Sequence, residues 1–256
     1  MSGPRDSRRR FLTRLLTGAS AMALAGCDAI TDSRWGAKTL RLGESANRGV
    51  QGSLTSSTAL AQEFTEADLS PTFRSNGTSS PNDSEYQRLA ADNFRDWRLK
   101  IDGLVEAPSE LSLEQLRSLK SRTQITRHDC VEGWSAIGKW RGAYLSEVLA
   151  LVRPLPAARF VVFHCADPMD DQGTRYYESV GLEEARHPQT ILAYELNNQA
   201  LPVANGAPVR VRIERQLGYK MAKYLMRLEL VEDFHTIGGG NGGYWEDQGY
   251  EWYAGI

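Results

Sequence analysis

The sequence predicts a mixed α+β fold with a large β component and few, short helices. Three observations carry that reading. From Trp97 onward, short runs either alternate apolar with polar residues or are wholly apolar, and turn residues bound them. Only two segments of that stretch show a helix signal, and both are short. No internal repeat is found.

The elements follow in chain order. Ser7-Arg8-Arg9-Arg10-Phe11-Leu12 opens a basic patch, and Leu15 to Gly26 is a small, mostly apolar run. That run is shorter than the about 20 residues a spanning helix needs, so residues 1–26 read as an export signal and not as part of the fold. Its paired arginines resemble a twin-arginine signal. Leu24-Ala25-Gly26-Cys27 resembles a lipobox, which predicts a lipid anchor at Cys27 on a periplasmic protein; plain cleavage after Ala25 is the alternative. Residues 27–96 form a leader and N-terminal loop segment rich in Ser, Thr, Gly, Asn and Asp, with Ser75-Asn76-Gly77 inside it. A loop of that length is more often functional or tethering than accidental.

Residues 97–231 carry the predicted core. Trp97 to Ile101 alternates as a strand and stops at Asp102-Gly103. Ser112-Leu113-Glu114-Gln115 is a capping-box start for a short helix through Leu119. Thr123 to Cys130 reads as a strand, and Tyr144 to Leu151 has helical apolar spacing that ends before Pro154. Arg159 to Cys165 holds Phe-Val-Val-Phe and is the most core-like strand. Strands over Thr174 to Val180, Thr190 to Glu195, Val209 to Glu214 and Lys223 to Val231 complete the series. Residues 232–256 form a Gly/aromatic tail, predicted to fold back across the domain and border a pocket or a partner surface.

Composition narrows the function. The 256 residues are 41% hydrophobic, with six Trp, ten Tyr and seven Phe, which excludes general disorder. A formal net charge of −2 disfavours a nucleic-acid binder. Residues 1–26 hold five of the 30 basic and one of the 32 acidic residues, so the remainder carries 25 and 31, a formal −6. Three cysteines exclude a dense disulfide scaffold.

Cys130 stands in His128-Asp129-Cys130-Val131-Glu132-Gly133-Trp134-Ser135, where a strand meets a turn. Strand alternation puts His128 and Cys130 on one face. Three fates compete: a buried structural thiol, a nucleophile activated by His128, and a thiolate metal ligand. The sequence holds no Cys-x-x-Cys and no His-x-x-x-His, so a structural zinc site is disfavoured. A single thiolate holds a metal only if another group supplies the remaining ligands, as an organic cofactor with its own sulfurs would.

A local reversal of sign is the second signal. Arg210, Arg212, Arg215, Lys220, Lys223 and Arg227 face one carboxylate, Glu214, between Ala204 and Arg227. Val209, Val211 and Ile213 share one strand face, leaving Arg210 and Arg212 on the other, with turns at Asn205-Gly206-Ala207-Pro208 and Leu217-Gly218-Tyr219. Guanidinium forks beside turn amides suit phosphate. A solvated charged face is the alternative.

Two long ordered motifs point further. Cys-Val-Glu-Gly-Trp-Ser-x-x-x-x-Trp-x-Gly-x-x-Leu begins at Cys130. Leu192-Ala193-Tyr194-Glu195-Leu196-Asn197, Asn205-Gly206-Ala207-Pro208-Val209-Arg210 and Gly218-Tyr219-Lys220-Met221-Ala222-Lys223 follow. Over about Trp97 to Val231 the chain resembles the sulfite-oxidase-like molybdopterin oxidoreductases, nearest the subgroup of periplasmic methionine-sulfoxide reductase catalytic subunits. The resemblance implies a β-rich sulfite-oxidase-type fold and a Mo-molybdopterin cofactor. It also implies a two-electron step, such as S- or N-oxide reduction of a small-molecule substrate, at a metal ligated by Cys130. Electrons would come one at a time from a membrane haem protein or periplasmic cytochrome.

The same resemblance assigns Asn205, Arg210, Gly218, Met221, Ala222 and Lys223 to the pterin and its phosphate, with Asn76 as an N-terminal pterin contact. Cys165 falls where the reductase has a hydroxyl residue lining the cofactor pocket, and His128 replaces an arginine. The Tyr-Glu pair that follows the asparagine in the reductase is absent. His128 and Glu132 are the nearest proton carriers, with a satisfied structural role favoured for Glu132; Trp134 and Trp140 read as packing residues. Two other classes remain: a metal-free thiol enzyme using Cys130 and His128, and a non-catalytic lipoprotein that binds an anionic ligand.

Overall fold

The strand-forming runs gather into two five-stranded sheets in this computed structural model, which describes residue 56 and residues 58–256. The export-type segment and Cys27 lie outside the described residues. Ten strands are described: β1 (Arg98–Gly103), β2 (Ser109–Ser112), β3 (Ser121–Cys130), β4 (Trp134–Tyr144), β5 (Phe160–Pro168), β6 (Arg175–Gly181), β7 (Ile191–Leu196), β8 (Gln199–Ala200), β9 (Arg210–Arg212) and β10 (Leu225–Val231). Five short helices join them: α1 (Ser84–Ala91), α2 (Leu113–Ser118), α3 (Leu145–Val152), α4 (Leu182–Ala185) and α5 (Tyr244–Asp247). The fold is the β-rich α+β type that the sequence predicts.

One sheet runs β2-β1-β10-β5-β6, with β1 parallel to β10 and the other pairs antiparallel. The other runs β3-β4-β7-β8, with β9 also on β7, and is antiparallel throughout. The two sheets share one core. Leu99 and Ile101 of β1, Val161 and Phe163 of β5, and Leu228 and Leu230 of β10 are buried in the same cluster as Ala143 of β4, Leu192 of β7 and Val211 of β9. Each of these side chains other than Ala143 contributes about 1.5–3 kcal/mol when buried fully.

The helix signals hold locally. Ser112 Oγ accepts from the Gln115 amide at 3.1 Å while Gln115 Oε1 accepts from the Ser112 amide at 2.8 Å, the capping box at the start of α2. Helix α3 buries Leu145, Val148, Leu149 and Val152, one stripe at helical spacing, and ends at Arg153 in the left-handed region, just before Pro154.

Three elements depart from expectation. Strand β4 is absent from the sequence reading because Gly138 and Gly142 interrupt its pattern. A Cβ on Gly142 would stand 2.3 Å from the Leu192 carbonyl oxygen, so glycine there is what lets β7 pair so closely. Strand β9 is confined to Arg210–Arg212, with Val209 and Ile213 buried beyond its ends. The described part of the leader packs against the core. The Phe64 amide donates to the Ile125 carbonyl, the Ser70 amide to that of Ile137, and α1 buries Tyr86 and Leu89. That helix shows only two inward apolar positions, too few for periodicity to reveal.

Candidate active site

The turn Val131-Glu132-Gly133 between β3 and β4 carries Cys130 to the end of its strand, at the wall of a cleft of about 240 Å³. Six separated segments line it: Asn76 to Thr78, Cys130 to Glu132, Asp167 and Met169, Tyr176, Gly218 with Tyr219 and Met221 to Lys223, and Trp245 with Tyr250. Six of the ten predicted site residues therefore meet in one place: Asn76, Cys130, Gly218, Met221, Ala222 and Lys223.

Two more stand directly behind. Arg210 is fully buried and donates from Nη1 to the Asn205 carbonyl at 3.0 Å and from Nη2 to the Met221 carbonyl at 3.1 Å. Asn205 donates from Nδ2 to the Arg74 carbonyl at 3.4 Å. Gly206, at φ 110°, allows the packing, since a Cβ there would sit 2.9 Å from Lys223 Cβ and 3.2 Å from Arg210 Cβ.

His128 and Cys165 do not line the cleft. His128 is fully buried and accepts at Nδ1 from Arg212 Nη1 at 2.9 Å, with Met221 Sδ 3.3 Å from the same nitrogen. Burial first, then Arg212 and Arg210, hold its pKa well below the ordinary histidine value. It is neutral at pH 7 and sealed from the cleft, which corrects its reading as a proton carrier. Its thiol partnership with Cys130 is missing too: among the described residues no hydrogen bond joins them, so the metal-free dyad lacks its defining contact. Cys165 is buried in the core with Sγ 4.0 Å from the Phe163 carbonyl, and both described cysteines are free.

The six cations divide by partner. Arg212 is paired with Glu214 at 2.6 Å under the Trp140 ring, Arg215 with Glu184 at 2.8 Å, and Arg227 with Asp102 and Glu229. Lys220 lies between Glu178 and Glu246, 2.5 Å from each. Only Arg210 and Lys223 have no ion pair among the described residues. Arg210 and Arg212 being fully buried, the solvated-face alternative is excluded.

Lys223 donates from Nζ to the carbonyls of Asn76 at 2.5 Å, Ala204 at 3.2 Å, and Thr78, holding the 76–78 loop over the cleft. Burial first, then Arg210, brings its pKa down to about 7; burial, then Arg212, brings Arg210 to about 9. Two cations whose charged forms are disfavoured by burial and by a neighbouring arginine are what an added anion would relieve.

Burial pushes the Cys130 thiol up, outweighing the favourable fields of Arg210 and Lys223, so without a metal it stays protonated at neutral pH. Glu132 accepts from the Gly77 amide and from Trp134 Nε1, each at 3.0 Å; led by the Trp134 bond, these hold its carboxyl below the usual range. It is a fixed tie between loop and turn.

Sequence reasoning missed Asp167, Thr78, Met169 and Tyr176, and it left the tail's role open. The tail folds back: Trp245 and Tyr250, stacked at 5.4 Å, wall the cleft, and Tyr219 donates from its hydroxyl to the Glu251 carbonyl at 2.5 Å. Asp167 had one sequence signal, a carboxylate near the end of a strand that opens Phe-Val-Val-Phe.

Comparison with known proteins follows the same lines. Residues 86–236 match the family described as oxidoreductase molybdopterin binding domain. A provisionally named protein-methionine-sulfoxide reductase subunit, YedZ1, of Azospira oryzae is 38% identical over 249 residues, 97% of this chain and 88% of that protein. The protein-methionine-sulfoxide reductase catalytic subunit MsrP of Xanthomonas axonopodis pv. citri is 34% identical, over 88% of this chain and 70% of that one. Among solved structures, the sulfane dehydrogenase SoxCD from Paracoccus pantotrophus matches with TM-score 0.48 and 22% identity, over 54% of this chain and 39% of that chain.

Proposed function

This chain belongs to the oxidoreductase molybdopterin binding domain family and is an enzyme with a molybdopterin cofactor, and from that premise we propose that it reduces S-oxides, with Cys130 as the protein's ligand to the metal. The observation that carries the cofactor's place is the convergence of two buried cations without carboxylate partners, Arg210 and Lys223, on the cleft whose wall holds Cys130.

The residues fit the group. Arg210 Nε is a buried donor and Asn76 Oδ1 a buried acceptor, neither with a partner among the described residues. A phosphate-bearing pterin offers an anion to the first and an N–H group to the second. Asn205, Arg210 and Met221 to Lys223 would hold the anionic end, with Asn76 and Gly218 beside the ring system. When bound, the cofactor supplies a metal that exchanges two electrons together with an oxygen atom.

The chain's own residues do the rest. Cys130 gives up its proton on ligation, overcoming the burial that otherwise keeps the thiol neutral. Val131, Met169, Trp245 and Tyr250 make an apolar mouth, suited to the carbon substituents of a sulfoxide rather than to a free oxyanion. Protein-bound methionine sulfoxide, named for the relatives, is the substrate class that fits such a mouth. The proposed route of electrons is a one-electron carrier, a membrane haem protein or a periplasmic cytochrome. Among the described residues no helix is long and apolar enough to cross a membrane, so the proposed membrane attachment rests on Cys27.

Metal analysis of exported protein tests the reading. About one molybdenum per chain, a metal–sulfur signal lost in Cys130→Ser, and dye-driven reduction of methionine sulfoxide are expected. Molybdenum-free protein, or a Cys130→Ser variant with unchanged metal spectrum and turnover, refutes it.

A further inference from the structure

Asp167 lies at a break in its strand. On one side of β5, His164 pairs with Tyr177 and the next pairing is Pro168 with Arg175; on the other, the register with β10 shifts beside Cys165. Such an irregularity re-aims a side chain, and here the Asp167 carboxyl lines the cleft while the residue is only 5% exposed. It forms no ion pair among the described residues, and Oδ1 has no hydrogen-bond partner; the Thr78 side chain supplies the carboxyl's one side-chain contact.

Reduction of a sulfoxide needs protons as well as electrons: R2SO + 2 e− + 2 H+ gives R2S + H2O. The S–O bond breaks, two O–H bonds form, sulfur is reduced, and the one-electron carrier is oxidised twice. The groups of this cleft differ in their fitness to supply a proton. Glu132 is ionised and tied by two donors, His128 is walled off, and Lys223 spends its protons on three carbonyls.

We propose that Asp167 is the proton donor of this cleft, giving one of the two protons that leave with the oxygen as water and being recharged from solvent. The proposal rests on the S-oxide reductase reading. Burial pushes the Asp167 carboxyl up to about 6, in range to hold a proton near neutrality. The ionisable groups facing it are Tyr86 from α1, Cys165 from β5, Tyr176 from β6, and Lys223 with Tyr224 before β10. Burial drives the three tyrosines and the thiol upward, leaving them neutral, so Lys223 is the one charge that acts on Asp167.

The test compares molybdenum-loaded wild type, Asp167→Asn and Asp167→Glu, with reduced viologen as electron source and methionine sulfoxide as substrate. In wild type kcat/KM falls as pH rises through about 6, because the acid form is the active one. Asp167→Asn keeps its molybdenum, loses that limb, and is slower by about 100-fold or more. Asp167→Glu regains a pH-dependent limb at a shifted position. Infrared titration of the loaded protein reads the proton without turnover: a protonated-carboxyl band lost between pH 5 and 8 in wild type and absent from Asp167→Asn. Loss of molybdenum in Asp167→Asn overturns the proposal by making the residue a cofactor contact. An unchanged pH profile, or no titrating band, overturns it as well. Should loaded wild type reduce no sulfoxide at any pH, the activity reading fails instead, and the infrared titration alone decides whether Asp167 holds the proton.

Discussion

Replacing Lys220 by methionine removes the one cation between two buried carboxylates. Glu178 and Glu246 each stand 2.5 Å from Nζ, all three side chains are at most 1% exposed, and Oε2 of each carboxylate has no partner. Breaking one buried pair costs about 3–5 kcal/mol, and here two carboxylates would be left facing each other, so the upper end, about 5 kcal/mol, is expected at pH 7. For a chain of this size that is a Tm lower by roughly 10–20 °C. In acid the Glu178 carboxyl, which burial holds well above its usual range, is neutral and the deficit shrinks toward that of the lost hydrogen bonds, about 1–2 kcal/mol. Glu246→Gln is the contrasting perturbation: it leaves one carboxylate on one ammonium and relieves the field that, after burial, holds the Glu178 carboxyl well above its usual range. Its effect is expected within about 1 kcal/mol of zero. Urea unfolding at pH 7 and 4.5 gives the energies. Amide exchange over residues 244–254 tells whether α5, and with it the Trp245 wall, has come loose. A Lys220→Met protein within 1 kcal/mol of wild type at pH 7, or a Glu246→Gln protein damaged equally, would refute the reasoning.

Other expectations concern the cleft itself. Arg210→Met and Lys223→Met each lose charge-assisted bonds to an anion, so cofactor retention after dialysis falls about 10- to 100-fold, read as molybdenum and phosphorus per chain. Trp245→Ala with Tyr250→Ala raises KM for bulky apolar sulfoxides roughly tenfold while kcat and molybdenum content hold, because an apolar wall is lost and no reacting group is. For stability, Asp167 binds its proton more tightly folded (about 6) than unfolded (3.8), so the folded state loses about 3 kcal/mol as pH rises from 4 to 6. Asp167→Asn removes that slope, which pH-dependent urea titrations of the two proteins measure.

The legible and illegible parts of the sequence differ for physical reasons. The α2 capping box and the α3 stripe are local: the residues that make them are within one or two turns, and the structure keeps both. Strand β4 was hidden because its glycines answer to β7, a partner 50 residues away. Alternation separated Arg210 and Arg212 from their valine neighbours correctly, yet it says nothing about what covers a face, and Trp140 covers theirs. Cys130 and the Met221-Ala222-Lys223 run were legible because they are contiguous motifs that end on turns. Asp167 was not, since a strand irregularity aims it; the tail's fold-back was expected, but not which of its aromatics, Trp245 and Tyr250, would wall the cleft.

The basic cluster carries the sharpest lesson about site recognition. Six cations within eighteen residues look equivalent in sequence, and counting them suggests one anion-binding surface. Arg212 pairs locally with Glu214, but most of the other carboxylate partners come from elsewhere: Glu184 from α4, Asp102 from β1, Glu178 from β6 and Glu246 from the tail. Each pairing withdraws one cation from ligand duty and gives it a structural task; Lys220 in particular fastens the tail that walls the cleft. What remains, Arg210 and Lys223, is the pair that finds no carboxylate among the described residues and is held instead by carbonyl dipoles and aromatic faces. A folded protein tolerates buried charge when a counter-charge arrives from outside the chain. The unpaired residue of the ion-pair network, rather than the density of basic residues, is therefore what singles out the proposed place of the anionic cofactor, and the same logic applied to acceptors singles out Asn76.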